Sequence, residues 1–202
     1  TVSQTGVNTV TISAATLTPT LTNSAVSKTY DGTTEATGFT PTWSYAGLAS
    51  GDTGATLTST GAAYNDEDVA DATKVTVSGL AIGSIAGNKG SQASDYVLNE
   101  TSQEVSAVIG KRTLTLRGGK EYDGTANLTG YLSLGNLVGT EELQYTATAS
   151  DAHVATVGKY VSGITLSDDS ASGGLAGNYE APGLTVSQTG VNTVTISAAT
   201  LT

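Results

Sequence analysis

Cysteine and methionine are both absent from this 202-residue chain. Without cysteine there can be no disulfide scaffold, zinc–thiolate centre, iron–sulfur cluster or thiol nucleophile. A single histidine, His153, leaves almost no room for a histidine metal site or a general-base network. Positive charge is scarce: 8 Lys and Arg stand against 18 Asp and Glu, a net charge of −10. An acidic surface of this kind repels phosphate backbones and anionic bilayers, so neither nucleic acid nor membrane insertion is expected. No run approaches the ~18 apolar residues that a spanning helix needs, and no signal-peptide pattern opens the chain. Charged residues make up only 13%, and the helix formers Glu, Lys, Arg and Gln are few. What is abundant is threonine, followed by glycine (25 residues), alanine and serine. This composition favours a β-rich extracellular module over an enzyme. The missing initiator methionine is expected to reflect a piece cut from a longer protein, or a matured product.

Internal repetition is the strongest signal. Thr1 to Thr18, TVSQTGVNTVTISAATLT, recurs without change at Thr185 to Thr202, an offset of 184 residues. A half-period lies inside it. Lys28-Thr29-Tyr30-Asp31-Gly32-Thr33 recurs 92 residues later as Lys120-Glu121-Tyr122-Asp123-Gly124-Thr125. Val77-Ser78-Gly79-Leu80 matches Val161-Ser162-Gly163-Ile164, and Ile85-Ala86-Gly87-Asn88 matches Leu175-Ala176-Gly177-Asn178. The spacing from Ile12 to Ile109 is 97 residues and from Ile109 to Ile196 is 87; the first copy is longer, mainly at Lys89 to Ser94. The chain therefore divides into residues 1–12, the last strand of a preceding repeat, then modules 13–110 and 111–202, the second carrying the start of a further repeat.

Within a module the apolar residues alternate with a period of two, as in Val75/Val77, Val105/Ala107/Ile109, Leu143/Tyr145/Ala147/Ala149 and Val194/Ile196. Threonine outside and aliphatics inside describe strands with one buried face. Short helical turns are expected at most, the best candidates being Gly47 to Gly51 and Asn136 to Glu142. Asp-Gly is a preferred two-residue turn, so Tyr30 and Tyr122 should end one strand and Thr33 and Thr125 begin the next. The fold expected is all-β: two small modules, immunoglobulin-like sandwiches or β-grasp-like units. No flexible linker separates Ile109 from Leu114 or Ile12 from Leu17, so the modules should be coupled stiffly, end to end, as an elongated rod. Thr1 to about Ile12 should be unpaired, or pair with a sheet edge of another molecule.

Lys-x-Tyr-Asp-Gly-Thr, then Gly-Leu-x-x-Gly-Asp at Gly47 to Asp52, then Val-Ser-Gly-Leu, then Ala-Gly-Asn-Tyr at Ala176 to Tyr179, closing on Val-Thr-Ile and Thr-Leu-Thr, resembles the YDG-type repeats of large bacterial surface adhesins. It is similar to the related MBG-type repeats too. The resemblance covers both modules. It implies a secreted or outer-membrane-associated protein in which such modules form long stalks, with no active site. The first module departs from the pattern where Asn88 and Tyr96 are split by the insertion, and the second at Gly135-Asn136-Leu137.

Candidate chemistry is sparse. Asp66, Glu67, Asp68 and Asp71 could offer oxygen ligands to Ca²⁺, although they lack EF-hand spacing and the second module keeps a single carboxylate there. No other cofactor is expected. His153 falls opposite Asp68 and reads as a loop residue. Lys28 and Lys120 occupy equal positions, as internal isopeptide bonds of stalk proteins would require. Asn99-Glu100-Thr101 and Asn127-Leu128-Thr129 are glycosylation sequons. Tyr30, Asp31, Gly32, Tyr122, Asp123 and Gly124 form the recurrent structural motif. Two functions compete. The first is a monomeric stalk segment at the bacterial cell surface whose partners are neighbouring repeats. The second is an adhesive module binding carbohydrate, matrix or a like molecule through exposed aromatics, chiefly Trp43 and Tyr45, with Tyr64 and Tyr131 beside them.

Overall fold

The computed structural model describes residues 10–200. The chain is almost entirely β. In chain order its strands are β1 (Ala15–Leu21), β2 (Val26–Thr29), β3 (Trp43–Ala46), β4 (Asp52–Thr58), β5 (Gly61–Tyr64), β6 (Lys74–Ser78), β7 (Ala81–Gly87), β8 (Tyr96–Leu98) and β9 (Ser102–Gly110). They continue with β10 (Arg112–Thr113), β11 (Thr115–Glu121), β12 (Leu132–Gly135), β13 (Gln144–Ala149), β14 (Val161–Ser167), β15 (Tyr179–Glu180) and β16 (Asn192–Ser197). Among the described residues the helical turns are two 3₁₀ segments, Ala93–Asp95 and Ala176–Asn178, and not the expected Gly47–Gly51 or Asn136–Glu142. Both expected segments are instead bends built around a left-handed residue, Gly47 (φ 87°) and Asn136 (φ 67°), which stops a helix from starting.

Two compact units form. Of the described residues, the first comprises 10–26, 35–64 and 74–107; the second comprises 27–34, 65–73 and 108–200. Of the residues 1–12 read as a preceding strand, 1–9 lie outside those described. Val10 and Ile12 are in no strand and are exposed.

In the first unit β1 pairs antiparallel with β3 (Thr18↔Ala46 to Leu21↔Trp43) and parallel with β8 (Ala15↔Tyr96 to Leu17↔Leu98). A second sheet places β6 antiparallel to β5 and to β9, and β4 pairs with β7. Alternation holds where it was read: Val75 and Val77 are fully buried, and Ala107 is buried. Leu17, Leu80, Tyr64 and Tyr96 complete this core.

The second unit repeats the plan. β11 pairs antiparallel with β12 (Thr115↔Gly135) and parallel with β16 (Leu116↔Asn192 to Glu121↔Ser197), and β10 runs parallel to β15 (Arg112↔Tyr179). β13 and β14 pair antiparallel. Its core is Leu114, Leu116, Leu128, Leu143, Ala147, Ala149, Val161, Tyr179, Val194 and Ile196. Four polar side chains are buried with them, Lys120, Lys159, Asn178 and Asn192, the last fully. Asn192 accepts from Val161 N–H at 2.8 Å and donates to Val161 O and Gly183 O at 3.0 and 3.1 Å, so nothing on it is left unpaired.

The matched register corrects one sequence equivalence. Ala15↔Tyr96 and Arg112↔Tyr179 are the same pairing, so the counterpart of Ala176-Gly177-Asn178-Tyr179 is Ala93-Ser94-Asp95-Tyr96. Ile85 to Gly87, which resembles it in sequence, is strand.

Candidate functional site

The Tyr-Asp-Gly-Thr element is closed by its own lysine. Lys28 lies on β2 with its side chain nearly buried, and its ammonium meets Asp31 Oδ1 at 2.6 Å. It also donates to Thr33 O and Thr33 Oγ1 at 2.5 and 3.2 Å. Asp31 Oδ1 in turn accepts the Thr33 N–H at 3.1 Å and the Thr33 hydroxyl at 2.9 Å. This is an Asx turn with an ion pair added, and Gly32 completes it at φ 71°. The second copy is the same. Lys120, its side chain 1% exposed, meets Asp123 at 2.7 Å and Thr125 Oγ1 at 3.0 Å, while Asp123 accepts the Thr125 N–H and hydroxyl, each at 2.9 Å.

The expected hairpin therefore does not form. After the clasp the chain makes only a single bridge, Glu35↔Ala63 in one copy and Asn127↔Thr148 in the other. The aspartate oxygen that would have supported a tight hairpin is captured by a lysine three residues back. Partial burial works to raise the Asp31 pKa, but the Lys28 ammonium and the Thr33 donors outweigh it and hold it below the ordinary value. The Lys120 ammonium and Thr125 donors lower Asp123 to about 2. Each lysine forms an ion pair within its own loop.

A second arrangement recurs beside the first. In the second unit the Tyr179 hydroxyl accepts the Val138 N–H and donates to Glu141 Oε2, at 2.9 and 2.8 Å. The other oxygen, Oε1, takes the Tyr30 hydroxyl at 2.8 Å. The two rings meet edge to face, 5.4 Å between centroids. Arg112 braces the same corner, donating to Tyr30 O at 3.3 Å and to Asn136 O and Oδ1 at 2.8 Å each. Burial and then the Glu141 carboxylate push the Tyr30 hydroxyl far above its usual pKa. Burial first, against the Val138 donor and with the Glu141 carboxylate adding to it, raises Tyr179 to about 12. In the first unit Tyr96 accepts the Ala49 N–H at 2.8 Å and donates to Asp52 Oδ2 at 2.6 Å. Tyr96 and Asp52 thus stand for Tyr179 and Glu141.

Residues 6–104 match the family model of the YDG domain. That stretch contains Tyr30-Asp31-Gly32, and the match supports the YDG family for it. Comparisons with curated proteins and with solved structures find no match. The second copy lies outside the matched YDG stretch; its kinship rests on the shared register, clasp and tyrosine–acid pair.

The remaining candidates fall as follows. Trp43 and Tyr45 are half-buried on β3 of the YDG stretch, and the Tyr45 hydroxyl is tied to Ala55 O at 2.6 Å. Tyr64, expected to be exposed, is buried, because β5 turns it into the core opposite Val75. Tyr131 is 52% exposed, with the Lys120 ammonium 5.8 Å from its ring centroid. Asp66, Asp68 and Asp71 do converge, with carboxylate oxygens within 4.8 Å of one another; Glu67 is not in the cluster. Asp66 Oδ1 already accepts the Asp68 N–H, and Asp68 Oδ1 accepts the Asn178 amide. His153 repeats that turn, its N–H on Asp151 Oδ1 at 2.6 Å, and stacks on Tyr122.

Three working residues escaped the sequence reading. Asn178 pins the 65–73 loop, accepting the Val69 N–H at 2.9 Å and donating to Asp68 at 2.7 Å. Glu141 holds two tyrosines, and buried Lys159 caps the carbonyls of Val154 and Thr156. Only Asn178 had a signal, as the asparagine of Ala-Gly-Asn-Tyr.

Proposed function

We propose that this chain is a load-bearing spacer of a bacterial surface adhesin, exported and outer-membrane-associated, whose partners are neighbouring repeats. The observation that carries this reading is the parallel pairing of the first and last long strands of the second unit, β11 and β16. Tension enters such a module at its two ends. Parallel neighbours pulled from opposite ends are sheared, so the ladder from Leu116↔Asn192 to Glu121↔Ser197 is loaded all at once rather than bond by bond. The first unit pairs β1 and β8 in the same sense. The YDG clasp supports the reading too, since it spends its charged groups on one another rather than offering them to a ligand.

Solution scattering from one, two and three in-frame 184-residue periods tests the role. A spacer adds a constant increment of maximum dimension per period. A dimension that grows only as the cube root of mass contradicts it. The second reading, an adhesive module, would use the cleft of about 570 Å³ on the second unit, lined by Leu132, Leu134, Leu137 and Leu143 with Glu141 and Tyr145. Carbohydrate binding that disappears in Tyr145→Ala would favour this cleft, and binding that disappears in Trp43→Ala would favour instead the aromatic face of β3 in the first unit.

A further inference from the structure

The second unit takes in two segments from the first half of the chain, Ser27–Thr34 and Asn65–Thr73. Each is held by a defined partner. Tyr30 meets the Tyr179 ring edge to face, 5.4 Å between centroids. Asn178 accepts the Val69 N–H at 2.9 Å and donates to Asp68 at 2.7 Å. Gly32 lies so close to Val138 that an added Cβ would come within 2.8 Å of it.

The copies of those two segments in the second half have the same shape but stand in the open. Gly124 carries the left-handed φ of Gly32, 81° against 71°. The His153 N–H bonds Asp151 Oδ1 as the Asp68 N–H bonds Asp66 Oδ1, at 2.6 and 2.9 Å. Yet Tyr122 is 38% exposed where Tyr30 is 4%, and Val154 and His153 are exposed where Val69 and Asp68 are half-buried. A Cβ added at Gly124 would meet nothing within 4 Å. Tyr122 and His153 stack on each other, so the two segments form one patch.

The first unit presents the partners such a patch requires. Its Tyr96 stands for Tyr179, its Asp95 for Asn178 and its Ala49 for Val138. Together with Ser13 they line a groove of about 290 Å³. Asp95 is exposed where Asn178 is buried. Its Oδ2 takes the Gln92 N–H at 2.7 Å, which leaves acceptor capacity on the carboxylate.

We propose that Tyr122 and the loop at His153 seat the following repeat, a copy of the first unit continuing in frame from Thr202. Tyr122 packs on its Tyr96, and its Asp95 accepts from His153 and from the Val154 N–H. Thr185–Thr202 repeats Thr1–Thr18, so Ser197 is itself the Ser13 of that copy. Its carbonyl already accepts the Tyr122 N–H at 2.9 Å, so one wall of the groove is in place and nothing is displaced. The polar groups trade places between the two seats. Where Asn178 donates to Asp68, Asp95 accepts from His153, whose ring offers an N–H in either protonation state. The exchange also fixes order. A first unit placed behind a first unit would set Asp68 against Asp95, two carboxylates with no donor between them. Contacts with the next neighbour alone are what a linear array needs. The proposal rests on the spacer reading and deepens it by naming the joint between periods.

The test compares the 202-residue chain with the same chain extended in frame by one 184-residue period that carries Tyr122→Phe, so that a single Tyr122 remains. Nitration by tetranitromethane, located by mass spectrometry, reads the exposure of that phenol. Each rate is taken relative to the same variant without the added period. Since Tyr122 is 38% exposed and Tyr30 4%, nitration of Tyr122 should slow at least about fivefold on extension. His153→Asp sets a carboxylate against Asp95 and should bring the rate back to within about twofold of the unextended chain. The turn itself tolerates this change, because the first copy of the loop has Asp68 there. Adding Asp95→Asn in the appended period recreates the pairing of Asp68 with Asn178 and should restore protection. Nitration that does not slow on extension, protection that survives His153→Asp, or loss that Asp95→Asn fails to rescue overturns the joint. Such a failure leaves the spacer role standing, because the scattering series reads that role independently.

Discussion

Replacing Tyr30 by phenylalanine removes one hydroxyl and nothing else from the corner of the second unit. The ring is 4% exposed and keeps its edge-to-face contact with Tyr179, so the hydrophobic contribution is unchanged. What is lost is a 2.8 Å bond to a carboxylate. Bonds to charged groups contribute about 1.5–3 kcal/mol; Glu141 is only half-buried and can recruit water, so about 1–2 kcal/mol is expected. Tyr179→Phe should cost more, about 2–3 kcal/mol, because it also strands the Val138 N–H. Glu141→Ala should approach the sum, and in that background Tyr30→Phe should cost less than about 0.5 kcal/mol, since its acceptor is gone. Urea unfolding followed by a probe in the second unit reads all four. For a domain of about 100 residues each kcal/mol moves Tm by about 4–8 °C. Tyr30→Phe within about 0.3 kcal/mol of the parent, or additive with Glu141→Ala, would refute the two-tyrosine carboxylate as a stabilising joint.

Raising pH provides a second check. Tyr30 and Tyr179 have folded pKa values raised above the unfolded 10.0, so their stabilisation is complete below pH 10 and drains as pH climbs toward 12. Thermal midpoints should fall over that window, and the fall should be shallower in Tyr30→Phe/Tyr179→Phe; an identical slope would contradict it. The clasp acts at the other end of the scale. Asp123 is depressed from 3.8 to about 2, so its contribution is present above about pH 4 and lost as pH drops through 2. Lys120→Met should lower stability at neutral pH and flatten the acid limb, measured by circular dichroism; an unchanged acid limb counts against the ion pair. Calcium at millimolar concentration should leave the melting temperature unmoved, because Asp66 and Asp68 already bond Asp68 N–H and Asn178; a rise abolished by Asp71→Asn would show that the three carboxylates hold the ion.

Alternation made the sheets legible. Val75, Val77, Ala107, Ile109, Leu143, Ala147, Ala149, Val194 and Ile196 are buried as period two requires. The half-period of 92 residues located the clasp at Lys28 and Lys120, because a turn chemistry repeated verbatim is visible without coordinates. Its geometry was not, since Asp-Gly suits a hairpin and an Asx turn equally; what decided was a lysine side chain reaching three residues forward. The tyrosine–acid pair was hidden for a different reason. Tyr30 and Glu141 are 111 residues apart, and no local pattern records which carboxylate a phenol will find. The helical turns were misplaced because Gly47 and Asn136 adopt left-handed backbone, which helix propensity does not register. Ser27–Thr34 and Asn65–Thr73 belong by contact to the second unit although they precede residue 111, a division set by long-range packing that a linear reading cannot contain.

The load-bearing claim is tested most directly by pulling on the second unit in two directions. Since the chain has no cysteine, handles can be attached at introduced thiols alone. Tension applied across β11 and β16, from exposed residue 113 to exposed residue 198, shears the parallel ladder. Tension applied at exposed residues 150 and 162, at one end of the antiparallel β13–β14 pair, peels its bonds one after another. The account predicts a clearly higher unfolding force in the first geometry at equal loading rate. An equal or lower force there would contradict it.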